Sequence, residues 1–239
     1  MPQPSLMKRA VAELVGTFVL VFLGTGSVVS TVVFFKGVES AGLLLIGLAF
    51  GFAVLMMIYA FGHISGTHIN PAVTIALWAT GRFRSRDAAA YIVAQLIGAL
   101  GASLVIVAIV GQRAVDAGLG STLQGTGVNY GQAILSEAVT TFFLVLTIWG
   151  SAVDERAPKG FAGIAIGIVV AADIMVTGPI TGASMNPART FGPYLGETIF
   201  GGANHWSQFP IYLIGPIVGG LVAAFLYDYI SGIRSKTAA

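Results

Sequence analysis

Two nine-residue stretches hold the groups that can do chemistry. "SGTHINPAV" carries Asn70, Pro71 and Ala72, and "TGASMNPAR" carries Asn186, Pro187 and Ala188 and closes on Arg189. Neither pairs a nucleophile with a base, or two acids across a pocket. Each offers hydrogen bonding instead: an asparagine amide preceded by a run of backbone carbonyls. Those are Gly66, Thr67 and His68 in the first stretch and Gly182, Ala183 and Ser184 in the second. Asparagine is a favoured cap and proline a favoured first helical residue, so each box reads as a loop ending in a helix start. In the first box that helix covers about 71–80, roughly 15 Å at 1.5 Å per residue, half of a hydrocarbon core. The glycine- and histidine-bearing stretch 62–69 before it is expected to be loop. Such groups bind and pass a neutral hydrogen-bonding molecule; they break no bonds.

The elements that position the boxes follow from composition. Of 239 residues, 56% are hydrophobic, 9% are charged and 32 are glycine, which excludes an ordinary soluble domain and indicates an all-α integral membrane protein. A net charge of +2 is too small to suggest nucleic acid, and the lipid bilayer is the expected partner. Without cysteine there is no disulfide, thiol chemistry or cysteine-ligated metal. No spacing of His, Asp and Glu suggests another metal or a cofactor. Apolar runs long enough to span lie near 10–35, 43–61, 88–110, 133–153, 161–180 and 209–230. The first follows Lys8 and Arg9 like a signal peptide, but about 26 residues exceed a signal's apolar core, so it reads as a span.

Six spans put both termini on one side. Lys8, Arg9, Arg82, Arg84, Arg86, Arg156, Lys159, Arg234 and Lys236 fall at the termini or in connections on that side. Only Lys36 and Arg113 fall in the opposite connections, with Arg189 in the second box. Nine against two predicts cytoplasmic termini in a multi-pass protein of the cell membrane.

The two halves resemble each other. "AELVGTFVLVF" matches "SEAVTTFFLVL" and pairs Glu13 with Glu137, the boxes pair Asn70 with Asn186, and "AQLIGAL" resembles "IGPIVGG". Chance likeness between apolar runs does not account for a duplicated Asn-Pro-Ala. A three-span unit repeated after an odd number of spans enters from the other face. The prediction is one domain over 1–239, with inverted repeats at about 1–115 and 129–239 joined by a polar, glycine-rich linker at 111–131. Inversion brings the half-helices in from opposite faces, so their N-terminal ends meet near mid-membrane. Unpaired loop backbone cannot face lipid, so loops 65–69 and 181–185 are expected to line a water-filled path. There the carbonyls accept, Asn70 and Asn186 donate, and two positive helix ends converge. A cation is repelled by those ends and by Arg189, and it finds too few ligands to replace its hydration shell.

With both boxes and their spans, nearly the whole chain resembles the aquaporin (major intrinsic protein) family. The resemblance implies six transmembrane helices and two re-entrant half-helices, a homotetramer with one pore per subunit, and a passive channel for water and small neutral solutes rather than an enzyme. It also implies an outer selectivity filter at Phe50 (twenty residues before Asn70), Ile174 (twelve before Asn186), Ala183 and Arg189. Ile174 stands where the water-selective pattern has histidine, which makes the filter wider and more apolar. Glycerol-conducting members have tryptophan at the first position and aspartate directly after the box arginine. Here these are Phe50 and Thr190, so the filter is intermediate and a glycerol or polyol facilitator is the alternative.

The remaining polar residues allow more than one role. Glu13 and Glu137 lie inside spans, where charge is costly and usually functional. They suit proton coupling in a secondary transporter, a class that also uses inverted repeats and broken helices. Alternatively, as the resemblance suggests, each braces a re-entrant loop through its buried N–H groups. His68 is expected to line the pore or brace its loop, His63 to be a loop histidine, and His205 to lie in an outer loop. Asp173, beside Ile174, is expected to line the vestibule or pair with a neighbouring subunit. "DERAPKG" reads as a solvated turn without a pocket for acid–base catalysis.

Overall fold

The computed structural model describes residues 4–35 and 40–233; Lys36, Arg234 and Lys236, three of the charges behind the predicted orientation, lie outside the described residues. In chain order the helices are α1 (Leu6–Phe34), α2 (Ser40–Ser65), α3 (Pro71–Ala79), α4 (Ser85–Val110), α5 (Gln112–Asp116), α6 (Tyr130–Ile148), α7 (Ala162–Thr181), α8 (Pro187–Phe200) and α9 (Phe209–Ser231). A π-helical turn, Trp149–Val153, extends α6. Among the described residues, six helices are long and apolar enough to cross a membrane: α1, α2, α4, α6 with its π turn, α7 and α9. The short helices α3 and α8, of 9 and 14 residues, each start at a box. They are roughly 14 and 21 Å long, too short to span.

Two expectations about boundaries need correction. The stretch 62–65 is not loop, because α2 runs on to Ser65 and the Gly66 N–H still bonds to the Gly62 carbonyl at 3.0 Å. Glycine in a helix costs only about 1 kcal/mol, whereas unpaired backbone in a membrane costs several, so the helix persists through Gly62. His63 therefore sits on the exposed face of the last turn of α2 and is not a loop histidine. The stretch 111–131 is likewise more than a polar connection. It contains α5 and the turn Gly118–Gly120, and its Leu119 is fully buried against Val29, Ile106 and Val115.

Close approach between spanning helices sets the frame. Where α4 crosses α1, a Cβ on Gly98 would lie 2.2 Å from the Leu14 carbonyl oxygen. Where α9 crosses α6, one on Gly219 would lie 1.9 Å from that of Ala138. The α2–α7 contact is the same kind: a Cβ on Gly51 would lie 2.5 Å from Gly167 O, and one on Gly167 2.7 Å from Gly51 O. Lipid gives little drive to press apolar side chains together, so spanning helices associate through close backbone packing of this sort. Ion pairs tie the start of α1 to α4, and the segment before α4 to the end of α9. Arg9 meets Asp87 at 2.8 Å, and Arg82 grips Asp228 with both terminal nitrogens at 2.6 and 2.9 Å.

Candidate functional site: a pore between two boxes

Each loop before a box is bound to a buried glutamate. Glu13 accepts from Ser65 Oγ (2.7 Å), the N–H groups of His68 (2.9 Å) and Ile69 (2.6 Å), and Gln95 Nε2 (2.8 Å). Glu137 accepts from Thr181 Oγ1 (2.7 Å) and the N–H groups of Ser184 (2.9 Å) and Met185 (2.7 Å). The backbone adopts the left-handed region at three matched positions in each loop: Gly66 (φ 84°), Thr67 (50°) and Ile69 (43°), then Gly182 (78°), Ala183 (46°) and Met185 (52°). For β-branched Thr67 and Ile69 this is strained, and the glutamate bonds hold it in place.

That twist determines what the loops present. A planar trans peptide sets its N–H and the preceding C=O on opposite sides. The N–H groups of Thr67, His68 and Ile69 turn to Ser65 Oγ and Glu13, so the carbonyls of Gly66, Thr67 and His68 turn away from them. The carbonyls of Gly182, Ala183 and Ser184 do the same, because the next N–H groups bond to Thr181 and Glu137. Away from the glutamates lies a cavity of about 260 Å³, whose wall includes Gly66, Thr67, His68, Ala183 and Ser184. Gly182 borders a second space of about 480 Å³ beyond.

At the centre the boxes meet. Asn70 Nδ2 donates to the Met185 carbonyl at 2.8 Å, and Asn186 Nδ2 donates to the Ile69 carbonyl at 2.9 Å. Their Oδ1 atoms cap the half-helices, accepting from Ala72 at 2.8 Å and from Ala188 at 3.0 Å. An amide NH₂ has two donors, so one N–H per asparagine remains for the cavity that both line. Sequence reasoning missed the cross-bonds between the boxes. Pro71 and Pro187 open α3 and α8, and Ala72 and Ala188 are fully buried behind them.

Phe50, Ile174, Ala183 and Arg189 come together on the wall of the 260 Å³ cavity. The Arg189 guanidinium carbon lies 4.9 Å from the Phe50 ring centroid, and Nη1 donates to the Gly120 carbonyl at 2.8 Å. Ile174 and Arg189 also line the second space, so they stand where the two spaces adjoin. Gly24 leaves room for the Phe50 ring, since a Cβ there would fall 2.2 Å from it. Neither Gly24 nor Gly120 carried a sequence signal.

Other polar residues settle into place. His68 packs against Phe83 and Tyr91 at 4.7 and 5.0 Å, and its Nδ1 lies 3.1 Å from Thr74 Oγ1. Thr190 is buried off the cavity, bonded to Thr122 and Ser184 at 2.8 and 2.7 Å. Two tyrosines that the sequence reading passed over pin the loop entrances: Tyr91 OH donates to Ser65 O and Tyr212 OH to Thr181 O, both at 2.8 Å. Asp173 lines neither space and is only 6% exposed, because α7 turns it inward. Nothing in the structure explains its Oδ2, which has no partner among the described residues.

Six spanning helices, four of which (α1, α2, α6 and α7) line a cavity at whose centre two half-helices begin, define a channel-type membrane protein. Residues 1–227 match the family described as "Major intrinsic protein". The chain is 52% identical over 242 residues to Aquaporin AqpM of Methanothermobacter thermautotrophicus, covering 95% of this chain and 98% of the relative. It is 41% identical to Glycerol uptake facilitator protein-like 6 of Lactiplantibacillus plantarum, covering 92% and 96%. Among solved structures, the aquaglyceroporin from Plasmodium falciparum superimposes with a TM-score of 0.81 at 27% identity, covering 95% and 97%. The chain belongs to the major intrinsic protein family.

Proposed function

We propose that this protein is a passive transmembrane channel for water that also passes small neutral solutes such as glycerol slowly, excludes ions and protons, and catalyses no reaction. The observation that carries this is the shared cavity: loop carbonyls, two asparagine amides and two helix N-termini converge on it. A water molecule crossing it exchanges bulk hydrogen bonds for carbonyl acceptors and, at the centre, the remaining asparagine N–H groups. Each half-helix brings about half a positive charge to that point, and Arg189 adds a whole one at the filter. A cation meets both barriers with few ligands to replace its water. A central water accepting from both asparagines has its hydrogens turned outward, which interrupts a proton relay.

The relatives named for water and for glycerol agree with this reading. Ile174 is the observation that favours a share of glycerol, because it lines the constriction without a polar group. Against a proton-coupled carrier, Glu13 and Glu137 are both fully buried and engaged by loop N–H groups. The matched glutamates, boxes, tyrosines and glycine crossings of the two halves support an inverted repeat over about 1–115 and 129–239. Location in the cell membrane with cytoplasmic termini rests on the arginine and lysine asymmetry, and the homotetramer on family membership. Osmotic swelling of proteoliposomes with and without a collapsed pH gradient separates the readings. Equal rates are expected, and a rate that follows the proton gradient would indicate a carrier.

A further inference from the structure

Arg189 is held from outside both loops. Its Nη1 rests on the Gly120 carbonyl at 2.8 Å, and its Nε has no partner among the described residues. The direction of the guanidinium therefore depends on where residue 120 sits. Gly120 closes a tight turn in which it and Leu119 both take positive φ, 67° and 46°. The next residue carries the anchor: Ser121 Oγ donates to Glu197 Oε2 at 2.5 Å. Glu197 lies fully buried near the end of α8, the helix that bears Arg189 in its first turn. One helix thus holds the filter arginine at its start and, through Glu197, the carbonyl that the arginine needs.

Stability does not explain this carboxylate. Its Oε1 has no hydrogen-bond partner among the described residues, and His205 Nε2 stands 3.6 Å from it. A buried carboxyl with one good hydrogen bond costs the fold more than an apolar side chain of similar size. Its value lies in placing Ser121.

We infer that Glu197 is a positioning residue of the filter: through Ser121 it fixes the Gly120 carbonyl, and through that carbonyl Arg189, and so sets how strictly the pore rejects solutes wider than water. The inference rests on the channel reading above. Release of Ser121 lets the carbonyl drift, the guanidinium loses its acceptor part of the time, and the constriction loosens. Water, the narrower solute, is little affected.

The test measures water and glycerol permeability of the full-length protein in proteoliposomes, for Ser121→Ala, Glu197→Ala and Glu197→Gln, each also in an Arg189→Val background. Ser121→Ala and Glu197→Ala are expected to raise the glycerol-to-water ratio about threefold or more, as weakening one hydrogen bond to a charged group would. Glu197→Gln keeps an acceptor for Ser121 and restores the original ratio. None of the three changes acts once Arg189 is gone. A merely structural defect would lower both permeabilities together and persist in the Arg189→Val background. An unchanged ratio in Ser121→Ala, or an equal change without Arg189, overturns the proposal. Ser121→Ala alone decides if Glu197→Ala fails to assemble. An unmodified protein that passes no water refutes the channel reading along with this one.

Discussion

Three donors converge on Glu137, and removing it leaves them facing nothing. Thr181 Oγ1 and the N–H groups of Ser184 and Met185 all bond to it within 2.9 Å, and it is fully buried. Glu137→Ala is expected to cost about 1–3 kcal/mol per unpaired donor, seen as a lower melting temperature and lost water flow in the purified protein. A variant that melts and conducts normally would show that the second loop is held by other contacts. At this scale the sequence was readable wherever a feature was duplicated. The two Asn-Pro-Ala boxes and the Glu13–Glu137 pair stand in aligned segments, so each copy supports the other. Tyr91 and Tyr212 also occupy matched positions, four residues before Gln95 and Pro216, and that signal was available. The bond from Arg189 to Gly120 was not legible, because it joins residues 69 apart with no motif at the accepting end.

Between elements, glycine decides how near two helices come. Gly219 lets α9 rest on the Ala138 carbonyl of α6, and any Cβ there would sit at 1.9 Å. Gly219→Val is therefore expected to destabilise by roughly 1–3 kcal/mol or more, the cost of overpacking a close contact. Thermal unfolding in detergent checks this, with Gly26→Ala as control, because a Cβ at that helical glycine would meet Ile106 only at an ordinary 3.8 Å. Equal melting temperatures for the two variants would mean that α6 and α9 can separate without loss. Span count and approximate limits were legible from apolar length alone. The end of α2 was not, because the glycine and histidine at 62 and 63 argue locally for loop while the demand for paired backbone keeps the helix going to Ser65. The tertiary fold of 111–131 was also hidden, since a buried leucine within a glycine-rich stretch has no periodicity to mark it.

For the whole molecule, orientation and selectivity follow from the placement of charge. Single cysteines placed in this thiol-free chain at exposed Thr126 and exposed Lys159 test the orientation. An impermeant reagent applied outside intact cells is expected to label Thr126→Cys and spare Lys159→Cys, and the reverse pattern would invert the assignment. The function class followed from the sequence because two half-helices expected to enter from opposite faces leave few uses other than a pore. The balance between water and glycerol was less readable, since it depends on where Arg189 and the Phe50 ring stand relative to Ile174. Stopped-flow permeability of reconstituted vesicles to water, glycerol and protons, for the unmodified protein and for Ile174→His and Arg189→Val, tests the central claim most directly. The expected result is fast water flow, glycerol flow far slower and no proton leak. Ile174→His should then suppress the glycerol flow, and Arg189→Val should raise it. Water flow no faster than in empty vesicles, or glycerol flow indifferent to both substitutions, would contradict the account.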